Sequence, residues 1–593
     1  MSFNLLLAGF SRFTNPRRLQ VALRGDALLH DPRFNKGSAF TRRERTEFRL
    51  EGKLPYEVNT LEQQKQRAYA QYREHETDIS KNGFLQGLKA QSWVLFYALL
   101  STHLEEMFPV IYTPTEAEAI SKYSHVFRRS EGLYLSAPSA DSMEQDFLDA
   151  CEGRDLDLIV VSDGEAILGI GDQASLEENG MRDPLQGCGG IGISSAKGVI
   201  YTLAAGINPA RLLAVTLDVG TNNTDLLQDE MYLGTRAKRL DPNAYDQFVD
   251  RFFSLVKQHQ PRCLLHCEDF GINNAQRLLG RYRGQHAVFN DDIQGTGAVT
   301  LAALQSALKV TGSKLEDQRI VLYGAGTAGL GIVRQLRDAI RITARLSTPE
   351  ASSRFWLIDK HGLIKSSLGN KIRPEIEHDF IRKEEHWSSD ETSLLEVIRH
   401  VKPTVIIGTS TQAKAFTQDV IEEMSKHVIR PIIFPLSNPT GLHEISPQDA
   451  MEWSKGQALI ATGSPFPAVT LPDSQRDYIV AECNNALIYP GLGLGTILSK
   501  SNIMTDEMIV AGAERLSELA PAVHDHNRAL LPSFKDAAAV NFEIALAVMN
   551  RAMEQGVAGI QIDEEKRREY ARNAQWKPQY EEYRYDPKVN TIA

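Results

Sequence analysis

The chain has 593 residues, of which 42% are hydrophobic and 24% charged, and its formal net charge is -11. This composition is typical of globular proteins, and the length allows several domain-sized cores. The acidic balance argues against nucleic acid or an anionic membrane as a partner, because both bind basic surfaces. No apolar run is long enough to span a bilayer. The five cysteines contain no CxxC pair, which predicts reduced thiols.

The first 25 residues differ from the rest of the chain. They carry arginines beside a cluster of apolar side chains, and no acidic residue precedes Asp26. An arginine-bearing, acid-free, amphipathic start is typical of a mitochondrial transit peptide, although a frayed basic tail would look similar. The segment therefore favours the mitochondrial matrix, with the cytoplasm as the alternative.

The periodicity of apolar residues changes near residue 155. Before it, apolar residues recur at helical spacing through Leu61–Tyr72 and Trp93–Met107, which predicts a helical region. After it, short apolar runs alternate with helical stretches, as in a parallel sheet covered on both faces. The predicted strands are Leu156–Val161, Leu212–Leu217, Cys263–His266, Ala287–Phe289, Arg319–Tyr323, Phe355–Asp359, Thr404–Gly408, Ile432–Leu436 and Ala458–Thr462. Helices are expected again from about residue 505 to 556.

Gly324, Gly326 and Gly329 form a GxGxxG motif between the predicted strand Arg319–Tyr323 and a helix. In that context the first glycine makes a tight turn and the second lets the backbone approach a pyrophosphate. The third allows close packing of helix on strand, and the helix N-terminus faces the phosphates. The motif alone is a weak signal, and a purely structural turn is the alternative. The flanking strand and helix favour a dinucleotide site.

Two further features bear on the dinucleotide. Asp359 ends the next predicted strand, where an acid binds the ribose hydroxyls. The spacing from Gly329 is longer than usual, which predicts an extended loop between them. Lys360 and His361 follow directly and suit a 2′-phosphate, so NAD and NADP both remain open. Gly187–Gly192 also fits GxGxxG, but it follows an irregular polar stretch and is predicted to be a loop.

Acidic pairs stand at the ends of two predicted strands. Glu268 and Asp269 follow one, and Asp291 and Asp292 follow another. The carboxyl ends of parallel strands share one edge of a sheet, where ligands bind. Carboxylates gathered there suit Mg2+ or Mn2+. Acids after strands also cap helices, so metal binding and capping remain alternatives from the residues alone.

The order of the motifs resembles that of the malic enzyme family, and most closely its fungal members. The resemblance runs from about residue 25 to near the C-terminus. Its motifs are Tyr112-Thr-Pro-Thr, Ser162-Asp-Gly-Glu, Gly169-Ile-Gly-Asp, Glu268-Asp-Phe, Phe289-Asn-Asp-Asp-Ile-Gln-Gly-Thr, Ser437-Asn-Pro-Thr, Ala461-Thr-Gly-Ser-Pro-Phe and Asn484-Asn485. It implies oxidative decarboxylation of (S)-malate to pyruvate and CO2, with reduction of NAD(P)+ and dependence on Mg2+ or Mn2+.

The resemblance also implies residue roles. Tyr112 matches the general acid and Lys197 the general base, which must be neutral to accept a proton. The family's metal ligands match Glu268, Asp269 and Asp292. Substrate and dinucleotide contacts match Asn438, Asn484 or Asn485, and again Asp292.

The predicted elements and the resemblance together imply an α/β fold class. It comprises a helical N-terminal region, a parallel-sheet substrate and metal domain, and a Rossmann-type NAD(P)-binding domain. A homotetramer or homodimer is expected from the family. The predicted boundaries are 1–25 for the targeting segment, 26–150 for the helical domain, 151–290 with about 485–555 for the substrate and metal domain, 291–484 for the nucleotide domain, and 556–593 for a C-terminal arm.

Three features depart from the family. Ala166 stands where many members have an arginine that grips the substrate or cofactor, and residues 174–186 intrude ahead of Lys197. Gln91 replaces an arginine of a fumarate-activating site, so fumarate activation is not expected. These departures leave two alternatives open: a malolactic enzyme that releases lactate, and an inactive homologue that serves as a structural subunit.

Overall fold

The computed structural model describes residues 18–167, 187–383, 387, 392–438, 440–470 and 477–589. The chain forms two units, Met1–Gly271 with Ile562–Ala593, and Ile272–Gln561. The predicted domain boundaries, which divide the chain more finely, stay predictions. The predicted insertion at 174–186 and most of the predicted targeting segment lie outside the described residues.

The N-terminal part of the first unit begins with helices. They are α1 (Asp26–His30), α2 (Arg42–Glu47), α3 (Leu61–Arg73), α4 (Asp78–Gln91), α5 (Trp93–Thr102), α6 (Leu104–Ile111), α7 (Thr115–Ser121), α8 (Tyr123–Val126), α9 (Met143–Cys151), α10 (Ile191–Ala205), α11 (Thr224–Gln228) and α12 (Pro242–His259). Its strands are β1 (Arg18–Val21), β2 (Leu133–Ser136), β3 (Leu158–Ser162), β4 (Leu212–Asp218) and β5 (Leu264–Cys267). The expected helical region is confirmed, but β2 lies inside it.

The strands β2, β4, β3 and β5 lie side by side in that order, and all pair in parallel. Every residue of β3 and β5 is buried. Strands buried on both faces read as continuous apolar runs, which is why the sequence located them within two residues. Helix α10 packs on β3 and β4, so its residues lie over the middle of the sheet.

The second unit contains the longer sheet. Its strands are β6 (Val288–Asn290), β7 (Ile320–Tyr323), β8 (Phe355–Asp359), β9 (Gly362–Leu363), β10 (Val405–Gly408), β11 (Ile432–Pro435), β12 (Leu459–Thr462), β13 (Val469–Thr470), β14 (Asp477–Tyr478) and β15 (Ala481–Glu482). Its helices are α13 (Ile272–Tyr282), α14 (Thr296–Thr311), α15 (Thr327–Ala344), α16 (Thr348–Ser352), α17 (Leu394–Val401), α18 (Gln418–Ser425), α19 (Pro447–Trp453), α20 (Tyr489–Ser499), α21 (Asp506–Glu518) and α22 (Ala537–Glu554).

One sheet has the order β15-β12-β11-β10-β7-β8-β9, parallel except for the β8–β9 pair. This confirms the predicted strands and the Rossmann-type arrangement, in which the order reverses next to β7. Helices α20, α21 and α22 pack on one another, and α21 also packs on α14 and α15. These helices approach each other closely because small residues lie at their contacts. A Cβ on Gly495, for example, would lie 2.5 Å from Val548.

The chain ends in the first unit, with α23 (Glu564–Ala574) and β16 (Glu582–Tyr585). Strand β16 pairs in parallel with β1, from Arg18 opposite Glu582 to Val21 opposite Tyr585. Tyr583 packs against the aromatic rings of Phe34, Phe40 and Phe48. The two ends of the chain therefore share one small hydrophobic core.

No single described helix is long and apolar enough to cross a membrane. The bent pair Trp93–Thr102 and Leu104–Ser121 meets the length and composition only when its two helices, which turn by 120°, are counted together.

Candidate active site

A buried chain of polar side chains joins α10 to the end of β5. Lys197 Nζ lies 2.9 Å from Glu268 Oε1, and the two side chains are 2% and 4% exposed. His266 Nε2 lies 2.7 Å from Glu268 Oε2, and its Nδ1 lies 2.9 Å from the hydroxyl of Tyr201. A neutral histidine satisfies both contacts when Tyr201 donates to Nδ1 and Nε2–H donates to Glu268. Burial of two charges is tolerable because they are paired and hydrogen-bonded.

Tyr112 lies beside this chain at the end of α6. Its ring centroid is 5.4 Å from Lys197 Nζ, and the residue is 9% exposed. The ring also packs against Phe108 of α6, with 5.5 Å between centroids. The structure thus brings together Tyr112, Lys197 and Glu268, which the sequence predicted for separate roles.

Glycines set the position of α10. Gly187–Gly190 forms a tight 3-10 turn, and α10 begins at Ile191. The prediction of a loop throughout Gly187–Gly192 was therefore wrong at its end. A Cβ on Gly192 would lie 2.8 Å from Ile120 and 2.9 Å from Glu116, so the glycine lets α10 approach α7 closely. In this second GxGxxG motif, Gly192 therefore serves the packing of α10 against α7.

Asp269 has a left-handed backbone with φ of 54°. This conformation is uncommon outside glycine and is retained where the surroundings enforce it. Its carbonyl accepts a hydrogen bond from the N–H of Ala166 at 3.0 Å. Gly271 follows, where a Cβ would meet the Glu165 carboxylate at 1.9 Å. The end of β5 is thereby held against the Ser162–Glu165 turn.

A cation that the sequence did not single out lies against the same turn. Arg239 donates to Asp163 at 2.8 Å and lies 3.4 Å from the Glu165 carboxylate. The hydroxyl of Tyr245 donates to Asp163 at 2.7 Å, and burial together with Asp163 raises the pKa of Tyr245. Arg239 thus stabilises the turn that precedes Ala166, the position where many family members have an arginine. It comes from a distant loop, so no motif could have shown it.

In the second unit, Asp291 and Asp292 lie in a π-helical turn, Asp291–Gly295, before α14. The side chain of Asn290 caps this turn by accepting from the N–H of Ile293 at 3.0 Å. Capping by Asp292, which the sequence left open, is therefore unnecessary. Asp292 is partly buried, whereas Asp291 is 1% exposed.

The asparagines predicted to contact substrate lie in the second unit. Asn485 donates to Asp291 Oδ2 at 3.1 Å and to Thr296 at 3.0 Å, so it is aimed at the start of α14. Asn484 caps the short turn after it and donates to Glu482 at 3.0 Å. Asn438 accepts from the hydroxyl of Ser464 and is exposed. The amides of all three residues are positioned by hydrogen bonds within this unit.

The glycines of the β7–α15 turn meet the requirements of a dinucleotide turn. Gly324 has φ of 103°, and a Cβ there would lie 2.5 Å from Ser410. A Cβ on Gly329 would lie 2.3 Å from the Gly324 carbonyl. Gly326 has open space around it, as expected of a position that a ligand approaches. The structure therefore explains why each of the three positions is a glycine, in the way that the motif predicts.

Asp359 ends β8, as predicted, and its carboxylate lies 3.9 Å from the guanidinium of Arg373. The unusual spacing from Gly329 arises because α15 spans eighteen residues, Thr327–Ala344, and α16 is added before β8. The connection between strand and acid is thus helical and not an extended loop.

Glu116 of α7 gives a prediction about stability. Burial, followed by the charge of Glu131, raises its pKa to about 8. An acid with a raised folded-state pKa loses stability as pH rises from its unfolded value of 4.5 towards 8. Glu116→Gln, which can still accept from Asn82, should therefore raise Tm at pH 8.5 and change it little near pH 5. Thermal melts at both values, with exposed Glu118→Gln as control, measure this. A pH-independent effect would contradict it.

Known proteins resemble this chain over most of its length. Residues 89–283 match the family model described as malic enzyme, N-terminal domain, and residues 293–553 match malic enzyme, NAD binding domain. The chain is 45% identical over 556 residues to the mitochondrial NAD-dependent malic enzyme of Saccharomyces cerevisiae, covering 93% of this chain and 80% of that protein. It is 44% identical over 555 residues to NAD-dependent malic enzyme 3 of Bacillus subtilis, covering 92% and 95%.

Two solved structures share the fold. The malic enzyme of Pyrococcus horikoshii has a TM-score of 0.51 at 23% identity, covering 79% of this chain and 89% of that one. The malic enzyme of Entamoeba histolytica has a TM-score of 0.51 at 21% identity, covering 88% and 90%.

Proposed function

This chain belongs to the malic enzyme family, and we propose that it oxidises and decarboxylates (S)-malate to pyruvate and CO2 while NAD+ is reduced. The observation that carries the proposal is the buried pair of Lys197 and Glu268, with Tyr112 beside it. The three residues would supply a base, a carboxylate ligand for a metal and an acid, respectively. A plain dinucleotide-binding module has no use for this group. The relatives named NAD-dependent malic enzymes support the same reaction.

We propose that Glu268, Asp269 and Asp292 hold Mg2+ or Mn2+. The donors are all carboxylate oxygens, which suit these hard cations. The enforced left-handed backbone of Asp269 fits a side chain held for a ligand. When bound, the cation would lower the pKa of the malate hydroxyl and stabilise negative charge on the substrate oxygens.

The protein residues would move the protons. Lys197, in its neutral form, would accept the proton of the C2 hydroxyl as the C2 hydride leaves for NAD+. After loss of CO2, the Tyr112 hydroxyl would protonate C3, since a phenol keeps its proton at neutral pH. Asn438 and one of Asn484 and Asn485 would orient malate and the nicotinamide ribose. Lys197 and Glu268 are 2% and 4% exposed, and this burial would keep bulk water away from these transfers.

Absorbance at 340 nm tests the reaction. Purified protein with L-malate and Mn2+ should form NADH and pyruvate in a metal-dependent way. Lactate without NADH would establish the malolactic alternative instead. Formation of neither product would overturn the proposed activity and favour the structural-subunit alternative.

We propose NAD+ as the preferred coenzyme over NADP+, because Asp359 stands where ribose hydroxyls bind and would repel a 2′-phosphate. Loss of a hydrogen bond to a charged group costs about 1.5–3 kcal/mol, so Asp359→Ser should raise KM for NAD+ by about 10- to 100-fold while sparing NADP+. Steady-state kinetics with both coenzymes measure this, with exposed Asp419→Ser as control. An unchanged KM for NAD+ would exclude this role.

We further propose a mitochondrial location and a homodimer or homotetramer. Strand β1 places a limit on processing, because Val21 is fully buried and pairs with β16. The cleavage of a leader should therefore leave Val21 in the mature chain. Mass spectrometry of the N-terminus of protein isolated from mitochondria measures the start. A mature chain that begins after Val21, or protein found only in the cytosol, would contradict the mitochondrial proposal. Light scattering of the pure protein measures the oligomeric state.

A further inference from the structure

The first unit contains a cavity of about 610 Å3 that is separate from the candidate active site. This volume lies in the range of small-molecule sites. The cavity is bounded by residues 30–33, by α4 and α5, by residues 129–132 and by the outer side of α10. Tyr112, Lys197 and Glu268 are not among its lining residues, so the proposed reaction does not use it.

One wall of the cavity carries Lys89, whose Nζ donates to the Ser195 hydroxyl at 2.7 Å. Within the described part of the chain, Lys89 has no ion-pair partner. Burial lowers its pKa, even though Glu131 and Glu116 act on it from a distance in the opposite direction. Glu116 itself is neutral over much of the physiological range, since its pKa is raised to about 8. Glu131, which also lines the cavity, is therefore the main negative charge that acts on the ammonium group.

Arg154 is the second such cation in the lining. It donates to the backbone carbonyls of Cys151 at 3.0 Å and of Ala150 and Ala210, each at 2.8 Å. Burial lowers its pKa, although the charge of Glu152 acts against that effect. A guanidinium held only by neutral oxygens is positioned without being neutralised.

Two of the three acids that line the cavity are already paired. Arg33 contacts Asp31 at 2.8 Å and Glu152 at 3.3 Å, and all three line the cavity. This triad already contains one more acid than base, and Glu131 is the other lining acid. Among the described residues, three lining cations are thus open to an anion without loss of an ion pair: Lys89, Arg154 and Arg129, which donates to the Ala90 carbonyl at 3.3 Å.

The other wall is apolar and aromatic, formed by Trp93 and Tyr97 of α5 together with Val199 and Leu212. Such a surface binds the flat hydrocarbon part of a ligand, while fixed cations bind its charged end. We propose that the cavity is a binding site for a small amphiphilic anion, with Lys89 and Arg154 holding its carboxylate or phosphate group and the aromatic wall holding its body. Ser195, the partner of Lys89, lies two residues before Lys197 on α10, so the occupant would contact the helix that carries the proposed base.

Fluorescence of 8-anilinonaphthalene-1-sulfonate tests the site, because this probe combines a sulfonate with an aromatic body. The full-length protein is titrated in saturating NAD+, which keeps the probe from the dinucleotide site. Lys89→Gln should weaken binding by about tenfold, and Lys89→Glu by more, since a charged hydrogen bond is worth about 1.5–3 kcal/mol. Lys81→Gln and Lys81→Glu are the matched controls and should leave binding unchanged, because Lys81 lies on the same helix but does not line the cavity.

Competition identifies the group that is recognised. Both 1-naphthoate and 1-naphthyl phosphate should displace the probe at least tenfold better than neutral 1-naphthol, and the stronger of the two assigns a carboxylate or a phosphate ligand. Equal displacement by naphthol, or binding insensitive to Lys89, would overturn the proposal. If no probe binds and Lys89→Glu changes the mass by light scattering, the cavity is an interface between copies of the chain and the proposal is wrong.

Discussion

Lys197→Arg should lower kcat for malate oxidation by about 10^2- to 10^4-fold, the usual contribution of a general base. Arginine keeps the positive charge and can still pair with Glu268, but it cannot be deprotonated and so cannot accept a proton. The variant should therefore fold and bind NAD+ while turnover is lost. Steady-state kinetics with L-malate and NAD+ make the measurement, and Lys257→Arg on the exposed side of α12 is the control.

Two companion variants separate chemistry from stability. Lys197→Met leaves Glu268 buried without its cation, which should cost about 3–5 kcal/mol and lower Tm as well as kcat. Oxaloacetate decarboxylation does not require removal of the hydroxyl proton, so Lys197→Arg should retain more of this partial reaction than Tyr112→Phe, which lacks the proposed acid. If Lys197→Arg keeps more than a tenth of the wild-type kcat, Lys197 is not the base.

Asp269→Asn should raise the Mn2+ concentration needed for half-maximal activity by at least 10- to 100-fold, the loss seen even for groups that only support a ligand. The same result is expected for Glu268→Gln and Asp292→Asn, because an amide gives up the negative charge that attracts the cation. Electron paramagnetic resonance of free Mn2+ measures binding directly, without reliance on activity. Agreement between the two measurements ties the kinetic effect to the metal.

The control for these variants is Asp218→Asn. Asp218 is also a buried carboxylate at the end of a strand of the same parallel sheet, β4, but it accepts hydrogen bonds from the N–H and hydroxyl of Thr235, each at 2.8 Å. Its role is thus explained by the local fold, and its Mn2+ affinity should equal that of the wild type. A similar loss in Asp218→Asn would mean that the other variants act through general damage, and normal Mn2+ affinity in all of them would remove the proposed metal site.

The sequence located most of the sheet because its strands are fully buried. Apolar runs such as Phe355–Asp359 match the observed strand at both ends. Short strands were missed: Leu133–Ser136 has four residues and lies among helices. The predicted helix Trp93–Met107 is broken at His103, whose backbone at φ -122° and ψ 38° leaves the helical region. Nothing in the apolar spacing marks that residue, since the pattern continues across it.

The site was predictable to the extent that its residues lie in local motifs. Tyr112, Lys197 and Glu268 were found through their sequence neighbours. His266 and Arg239 were not, because a lone histidine on an apolar strand reads as a core residue and an arginine in a loop as a solvated one. Their contacts join segments that are distant along the chain, so only the folded structure shows them.

The pairing of β1 with β16 has a consequence for the order in which the protein is made. Strand β1 finds its partner only when Glu582–Tyr585 has been synthesised, after the entire second unit. Until then the hydrophobic residues around Val21 and Phe48 have no Tyr583 to cover them. Contacts between distant parts of a chain form slowly, and exposed apolar surface promotes aggregation. The second unit can therefore fold before β16 has been made, whereas the hydrophobic core around Val21 closes only afterwards. Until then, this core is the part of the chain that a chaperone has most to protect.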